Sequence, residues 1–360
     1  MPDGGGEYSI YDLGDFLLES GEVLPSAFLA YKTFGDPSSP VLIYPTWYGG
    51  KIADCAGIVG PENAAFDPAR YFIIILALFG NGESISPSNT PALRDTFPTV
   101  TFRDNVTAQY QLLTQKLGVF HARAALSWSM GAAQAFQWAV QYPEFVDAII
   151  PYAGAAKTSI HNNVFLEGVK SALIASRHGE SNGIGKGQKF PRPGSWSEDE
   201  RRVGLKAFGR TYAGWGFSQT FYREKSYEKL GSSTPDGFLV DFWEGWALGK
   251  DPDNLLVMLQ TWQLADISAG PEFQGDFARA LRSIKAKTLV MPCETDLYFP
   301  PADSEIEVNA MSPGIGRLLV IPSTSGHFAA APALQAHDWS FLHGSIWEFL
   351  QEVEAGLVVG

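Results

Sequence analysis

Short apolar runs alternate with stretches of helical periodicity over most of this chain. Residues 8–35 alternate apolar and polar positions about the turn signals Glu19-Ser20-Gly21 and Leu24-Pro25, which predicts an antiparallel hairpin or edge strands. Residues 41–44 form a continuous apolar run that ends at Pro45, as a buried strand does, and residues 71–78 form a second one, stopped by Phe79-Gly80-Asn81-Gly82. Val106, Tyr110, Leu113 and Leu117 recur at helical spacing, with Gly118 as a C-terminal stop. A strand at about 122–127, a helix from Met130 to about Gln141 ending before Pro143, and a short buried run at 146–151 follow. The same rhythm returns with strands at 286–292 and 317–322 and an amphipathic helix at about 338–353. Such alternation predicts an α/β fold with a mostly parallel central sheet flanked by helices.

Between the two halves the pattern changes. Residues 177–196 are rich in Gly, Ser and Lys, and residues 205–265 read as helices laden with aromatics, among them Phe208, Tyr212, Trp215, Phe217, Trp243, Trp246 and Trp262. The predicted organisation is a core domain of residues 1–156 and 279–360, interrupted by a helical insertion over 157–278. A chain of 360 residues is long enough for both.

The formal charge of −13 argues against nucleic acid or an anionic membrane as partner. Two cysteines, Cys55 and Cys293, supply neither a disulfide framework nor a metal motif, so a reducing, cytoplasmic location is expected. Residues 1–7 are polar and glycine-rich, unlike a signal peptide, and the longest apolar run is too short to span a bilayer.

The chemistry is concentrated at Ser127-Trp128-Ser129-Met130-Gly131. A strand ends in a small residue, a serine follows two positions on, a glycine two after that, and a helix begins. That is the spacing of a nucleophile elbow, in which the serine sits on a strained turn and its neighbours must be small for the backbones to approach. A serine hydroxyl needs a base, and the base an orienting acid. In an elbow-bearing sheet these follow in the order Ser, Asp or Glu, His, each past the end of a strand. Asp296 follows the strand at 286–292 and His327 the one at 317–322, so Ser129, Asp296 and His327 are the candidate triad, with Glu294 the rival acid. The other histidines fall outside that order (His121, His161), in the Gly/Ser/Lys-rich stretch (His178), or at the terminal helix (His337, His343). The candidate oxyanion donors are the backbone amides of Met130 and Trp47. Trp47 lies in the loop Pro45-Thr46-Trp47-Tyr48-Gly49-Gly50, whose glycines allow close backbone approach, and Thr46 or Tyr48 are the fallbacks.

Several stretches together resemble the homoserine O-acetyltransferase family: residues 44–50, Phe79-Gly80-Asn81-Gly82, Ser86-Pro87-Ser88-Asn89, Arg103-Asp104-Asn105-Val106, the elbow, and Gly326-His327. The resemblance covers most of the chain. It implies an α/β-hydrolase fold with an inserted helical lid, a homodimer formed through that lid, and an acyl-serine mechanism. It places Ser129, Asp296 and His327 in the triad and Trp47 and Met130 at the oxyanion hole.

The departures bear on the substrate. True homoserine acetyltransferases carry an aspartate directly after the catalytic histidine to receive the substrate's ammonium, and here Phe328 stands there. An apolar wall would leave that charge desolvated, so homoserine is not the expected acceptor. The elbow lacks the family's Gly-Gly start, and residues 212–219 are similar to a branch that includes short-chain ester hydrolases. Tyr48, Tyr212, Trp215 and Phe328 are the candidate substrate-binding residues. The expected function is hydrolysis of small, apolar, acetyl-type esters without metal or cofactor. The alternative is a CoA-dependent O-acyltransferase, with acetyl-CoA as co-substrate and a non-homoserine alcohol as acceptor. Lys186, Lys189, Arg192, Arg201 and Arg202 would then be candidates to meet the CoA phosphates, and Arg210 and Arg223 could anchor a carboxylate. A scaffold with an inactive site is the third reading.

Overall fold

The computed structural model describes residues 8–177, 196–331 and 334–359, without the side chains of 357–359. Eight strands form one sheet in the order β1-β2-β4-β3-β5-β6-β7-β8. They are β1 Ser9–Leu17, β2 Val23–Phe34, β3 Val41–Pro45, β4 Phe72–Leu76, β5 Ala122–Trp128, β6 Val146–Tyr152, β7 Lys287–Val290 and β8 Gly316–Leu318. β1 and β2 pair antiparallel, as the alternating residues 8–35 predict, and β2 pairs antiparallel with β4. From β4 onward every pairing is parallel.

The continuous apolar runs follow from burial on both faces. In β3 and β4 every residue is buried, and successive side chains point to opposite sides. Leu42, Tyr44, Ile73, Ile75, Ala124 and Leu126 belong to one core, Val41, Ile43, Phe72, Ile74 and Ala125 to the other. β8 is shorter than the predicted 317–322. Pro292 has no N–H to give to the ladder, so regular pairing stops there. Isolated bonds nevertheless carry the register on, Ile321 N to Pro292 O at 2.8 Å and Glu294 N to Ile321 O at 3.0 Å.

The helices that frame the site are α1 Phe102–Gln111, α2 Met130–Gln141, α3 Ile160–Ile174, α4 Glu198–Gly216, α5 Pro252–Gln263, α6 Pro301–Ala310 and α7 Ala336–Val359, the last longer than the predicted 338–353. α1 begins with a capping box: Thr101 accepts from the Asp104 amide at 3.1 Å while the Asp104 carboxylate accepts the Thr101 amide at 2.8 Å. The other Asp104 oxygen takes the Glu19 amide, and Asn105 Oδ1 takes the Phe79 amide at 2.9 Å. The Arg103-Asp104-Asn105-Val106 motif thus ties α1 to the turns after β1 and β4.

Among the described residues, every regular element between β6 and β7 is helical. The chain leaves and re-enters the sheet layer at one place. Thr158 N donates to Ala265 O, Ile267 N to Ala156 O, and the Lys157 ammonium pairs with Asp266 at 2.7 Å. No helix of the described residues is long and apolar enough to cross a membrane.

Candidate active site

β5 ends at Trp128 and α2 starts at Met130, so Ser129 is the corner between them. Its φ of 58° and ψ of −124° lie where a non-glycine residue is strained, and its N–H is held by Tyr152 O at 3.1 Å. The corner closes because its neighbours are small. A Cβ on Gly131 would stand 2.1 Å from Ser127 Oγ and 2.8 Å from Pro45 O. Ser127, where a glycine is usual, donates its hydroxyl to Pro45 O at 2.7 Å and so pins the elbow to β3.

The turns after β7 and β8 converge on this serine. His327 Nε2 lies 3.0 Å from Ser129 Oγ, and His327 Nδ1 lies 2.8 Å from Asp296 Oδ2. Asp296 Oδ1 accepts the amides of Tyr298 at 2.7 Å and Phe299 at 3.2 Å, which fixes the carboxylate plane. Ser129, Asp296 and His327 are each 4% exposed, so the three side chains are shielded from water. Glu294, the rival acid, is exposed, and the His327 ring pairs with Asp296 instead. Gly326, at φ 63°, brings the histidine turn against the C-terminal end of α4 and the turn after it: a Cβ there would be 3.0 Å from Gly216 O and 2.8 Å from Ser218 N. Elsewhere His121 pairs with Asp147, and His161 packs on Trp215. His343 is buried beside Trp339, its pKa pushed down to about 4 by burial.

Met130 is the first residue of α2, where an amide has no acceptor within the helix. The Trp47 amide, in the turn after β3, donates no hydrogen bond among the described residues. Both residues adjoin the serine, Met130 in sequence and Trp47 in the lining of the cavity above it.

Above the serine lies a cavity of about 90 Å³ lined by Trp47, Tyr48, Trp128, Ser129, Tyr212, Phe242, Trp243, Trp246, His327 and Phe328. None of these side chains is an acid, a lysine or an arginine. The Tyr48 and Tyr212 rings stack at 6.0 Å, and burial pushes both phenols well up, so both stay neutral. Tyr48 spends its hydroxyl on Leu255 O. Phe328 stacks on Phe217 at 4.6 Å and meets Trp128 edge-on.

Trp215, expected in the pocket, is not among its lining. It sits three residues after Tyr212, nearly one turn further along α4, shares Phe165 and Tyr298 with it as packing partners, and also packs on His161. Phe242, Trp243 and Trp246 come from the aromatic-laden insertion, which as a group could wall an apolar pocket, whereas Trp128 carries no such expectation. For Trp128 a signal existed, because the residue before an elbow serine stands beside the reacting atom. Its ring stacks on His327 at 4.9 Å.

Of the basic residues considered for CoA phosphates or a carboxylate, Arg201, Arg202 and Arg210 are engaged elsewhere, and Arg223 is exposed and absent from the cavity lining. Arg201 donates to Leu248 O and Lys250 O, Arg202 pairs with Asp199, and Arg210 pairs with Glu244. His178, Lys186, Lys189 and Arg192 lie outside the described residues. Cys55 and Cys293 are free and buried, and burial pushes both thiols well up.

Residues 40–170 match the family model of the alpha/beta hydrolase fold. A probable esterase of Corynebacterium glutamicum is 35% identical, over 89% of this chain and 90% of its own. The ethyl acetate hydrolase of Pseudomonas veronii is 33% identical over 83% of each chain. The solved structure of the acetyl esterase MekB superposes with a TM-score of 0.87 at 31% identity, covering 96% of both chains. Homoserine O-acetyltransferases are similar at a lower level, that of Thermobifida fusca being 28% identical over 86% of each chain. The chain is an enzyme of the α/β-hydrolase family and belongs to its ester-hydrolase branch, with the homoserine O-acetyltransferases as more distant relatives.

Proposed function

We propose that this enzyme hydrolyses small, apolar, acetate-type esters through an acyl-serine intermediate. The observation that carries this reading is the small aromatic cavity above Ser129, with no charged side chain to receive an ammonium or a carboxylate. An ammonium buried there would be desolvated without a partner, whereas an acetyl group and a short alkoxy group gain by leaving water.

Ser129 Oγ attacks the ester carbonyl carbon as its proton passes to His327 Nε2. Asp296 holds the Nδ1 proton, which keeps Nε2 free as the acceptor and stabilises the imidazolium. The carbonyl oxygen becomes an oxyanion between the Trp47 and Met130 amides. The C–O bond to the alcohol breaks, and the alcohol leaves with the proton from His327. Water, deprotonated by the same nitrogen, attacks the acyl carbon, and the carboxylic acid leaves as Ser129 regains its proton. Every step uses groups of this chain.

In the same reading the helices over 157–278 cover the site as a lid and the enzyme is a homodimer through them. Ile160 and Val164, one turn apart on α3 and 87% and 63% exposed, support such a contact, and sedimentation equilibrium checks it.

The test offers purified enzyme p-nitrophenyl acetate and ethyl acetate, and separately acetyl-CoA with a panel of alcohols, beside Ser129→Ala. Ester turnover that disappears in the variant, without alcohol-dependent release of CoA, is the expected result. CoA release only when an alcohol is present would replace the hydrolase by a transferase. An inert protein whose serine resists a fluorophosphonate would leave a scaffold.

A further inference from the structure

Three buried polar side chains on α1 and α2 form a chain that ends on the loop after β3. Trp138 Nε1 donates to Gln109 Oε1 at 2.8 Å, Gln109 Nε2 to Gln134 Oε1 at 2.6 Å, and Gln134 Nε2 to Thr46 O at 3.0 Å. All three side chains are fully buried. The indole N–H can only donate, so it dictates which end of Gln109 faces it. That choice turns the Gln109 NH₂ toward Gln134, and hence the Gln134 NH₂ toward Thr46. One tryptophan sets the direction of the whole chain.

The far end matters because of what shares its peptide. No cis bond occurs among the described residues, and across a trans peptide the C=O and the following N–H point opposite ways in one plane. A hydrogen bond that fixes Thr46 O therefore fixes the Trp47 N–H. The neighbouring peptides are tied by other groups: Pro45 O by Ser127, Thr46 N by Leu76 O, and Trp47 O by the Gly50 amide. Of the contacts in this loop, the Gln134 bond is the one that acts on the 46–47 peptide itself. Gln134 Nε2 also lies 3.4 Å from Met130 O, one turn back in its own helix.

We propose that Gln134, directed by Gln109 and Trp138, is a positioning residue that holds the Trp47 amide toward the oxyanion. The proposal rests on the reading of Trp47 and Met130 as oxyanion donors. Without Gln134 the peptide is free to rotate and to present the Thr46 carbonyl where the donor should be. The Trp47 side chain and the substrate pocket stay as they are.

The test is Gln134→Met, which keeps length and burial but cannot donate, with Gln109→Met as a second variant further from the serine. With p-nitrophenyl acetate, Gln134→Met is expected to lower kcat by about 10²-fold, the loss typical of one oxyanion donor, with KM changed less than threefold. Affinity for a trifluoromethyl ketone, whose adduct carries the oxyanion, falls by the same factor. Gln109→Met shows a smaller loss of the same kind. A folded Gln134→Met that keeps kcat within threefold overturns the proposal. So does a loss of kcat without loss of ketone affinity, which would mark a merely structural role. If Gln134→Met does not fold, Gln109→Met decides by the same two readouts. Trp47→Pro, which removes the amide hydrogen, is compared with Trp47→Ala. Equal kcat and ketone affinity in these two would overturn the oxyanion reading itself. A selective loss in Trp47→Pro with an unimpaired Gln134→Met would overturn the positioning role alone.

Discussion

Asp296→Asn separates the charge of the carboxylate from its shape. In the native site Oδ1 receives two backbone amides, from Tyr298 and Phe299, and Oδ2 receives the His327 Nδ1 proton. An asparagine keeps an acceptor on only one side. If its oxygen stays with the two amides, its NH₂ faces Nδ1, which must then be the unprotonated nitrogen. The proton moves to Nε2, where it blocks acceptance from Ser129. The productive orientation requires the side chain to turn over, setting NH₂ against two buried amide donors at ~1–3 kcal/mol each. The total of roughly 2–6 kcal/mol depopulates the competent state by about 30-fold to 10⁴-fold at ~1.4 kcal/mol per decade. We expect kcat/KM for p-nitrophenyl acetate to fall by about 10³–10⁴, in line with the corresponding change in other serine triads. Steady-state kinetics, with active sites counted by fluorophosphonate, gives the number, and a melting curve confirms the fold. A folded variant that loses less than tenfold would refute the reasoning, because Asp296 would then not set the tautomer.

Two further outcomes follow from buried contacts elsewhere. Gly131→Ala puts a methyl group 2.1 Å from Ser127 Oγ and 2.8 Å from Pro45 O, so a destabilisation of ~1–3 kcal/mol and a fall in kcat are expected together; calorimetry showing an unchanged Tm would contradict the packing argument. Glu307 on α6 accepts the Ala156 amide at 2.7 Å while its other oxygen is buried without a partner, and burial pushes its pKa up to about 8. The native state therefore holds a proton that the unfolded chain releases near its ordinary value, and the stability from that proton is lost as pH rises from about 4.5 through 8. Glu307→Gln keeps the acceptor for Ala156 and abolishes the titration. Its Tm relative to native rises across that window, and a pH-independent difference would count against a protonated Glu307.

The strands, and the chain order of the three side chains that the structure brings together at Ser129, were legible in the sequence because each rests on a local requirement. Doubly buried strands read as unbroken apolar runs, and a serine corner needs Ser127 and Gly131 to be small. Asp296 and His327 could be placed from chain order, since a parallel sheet delivers successive strand ends to one edge. The pocket wall was less legible. Whether Tyr212 or Trp215 faces the serine depends on the rotation of α4, which is set by packing against α3 and not by spacing. Over Leu239–Glu244 the chain makes a π-helical turn, which shifts the phase of Phe242, Trp243 and Trp246 relative to a regular helix. The Trp138–Gln109–Gln134 chain was invisible for another reason. Buried glutamines look like any surface glutamine until their neighbours are known.

The cavity wall has two origins, and they constrain its future differently. Trp128 and Phe328 are covalent neighbours of Ser129 and His327, and the Tyr298–Phe299 segment that packs on His327 also gives Asp296 its amide donors. Any change of shape on that side also moves the relay. Tyr212, Phe242, Trp243 and Trp246 come from the helices between β6 and β7 and make no hydrogen bond to the three relay side chains. That side can be enlarged, narrowed or made polar while proton transfer keeps its geometry. Changes in which ester is accepted therefore have an open route through residues 212 and 242–246 and a closed one through 128 and 328.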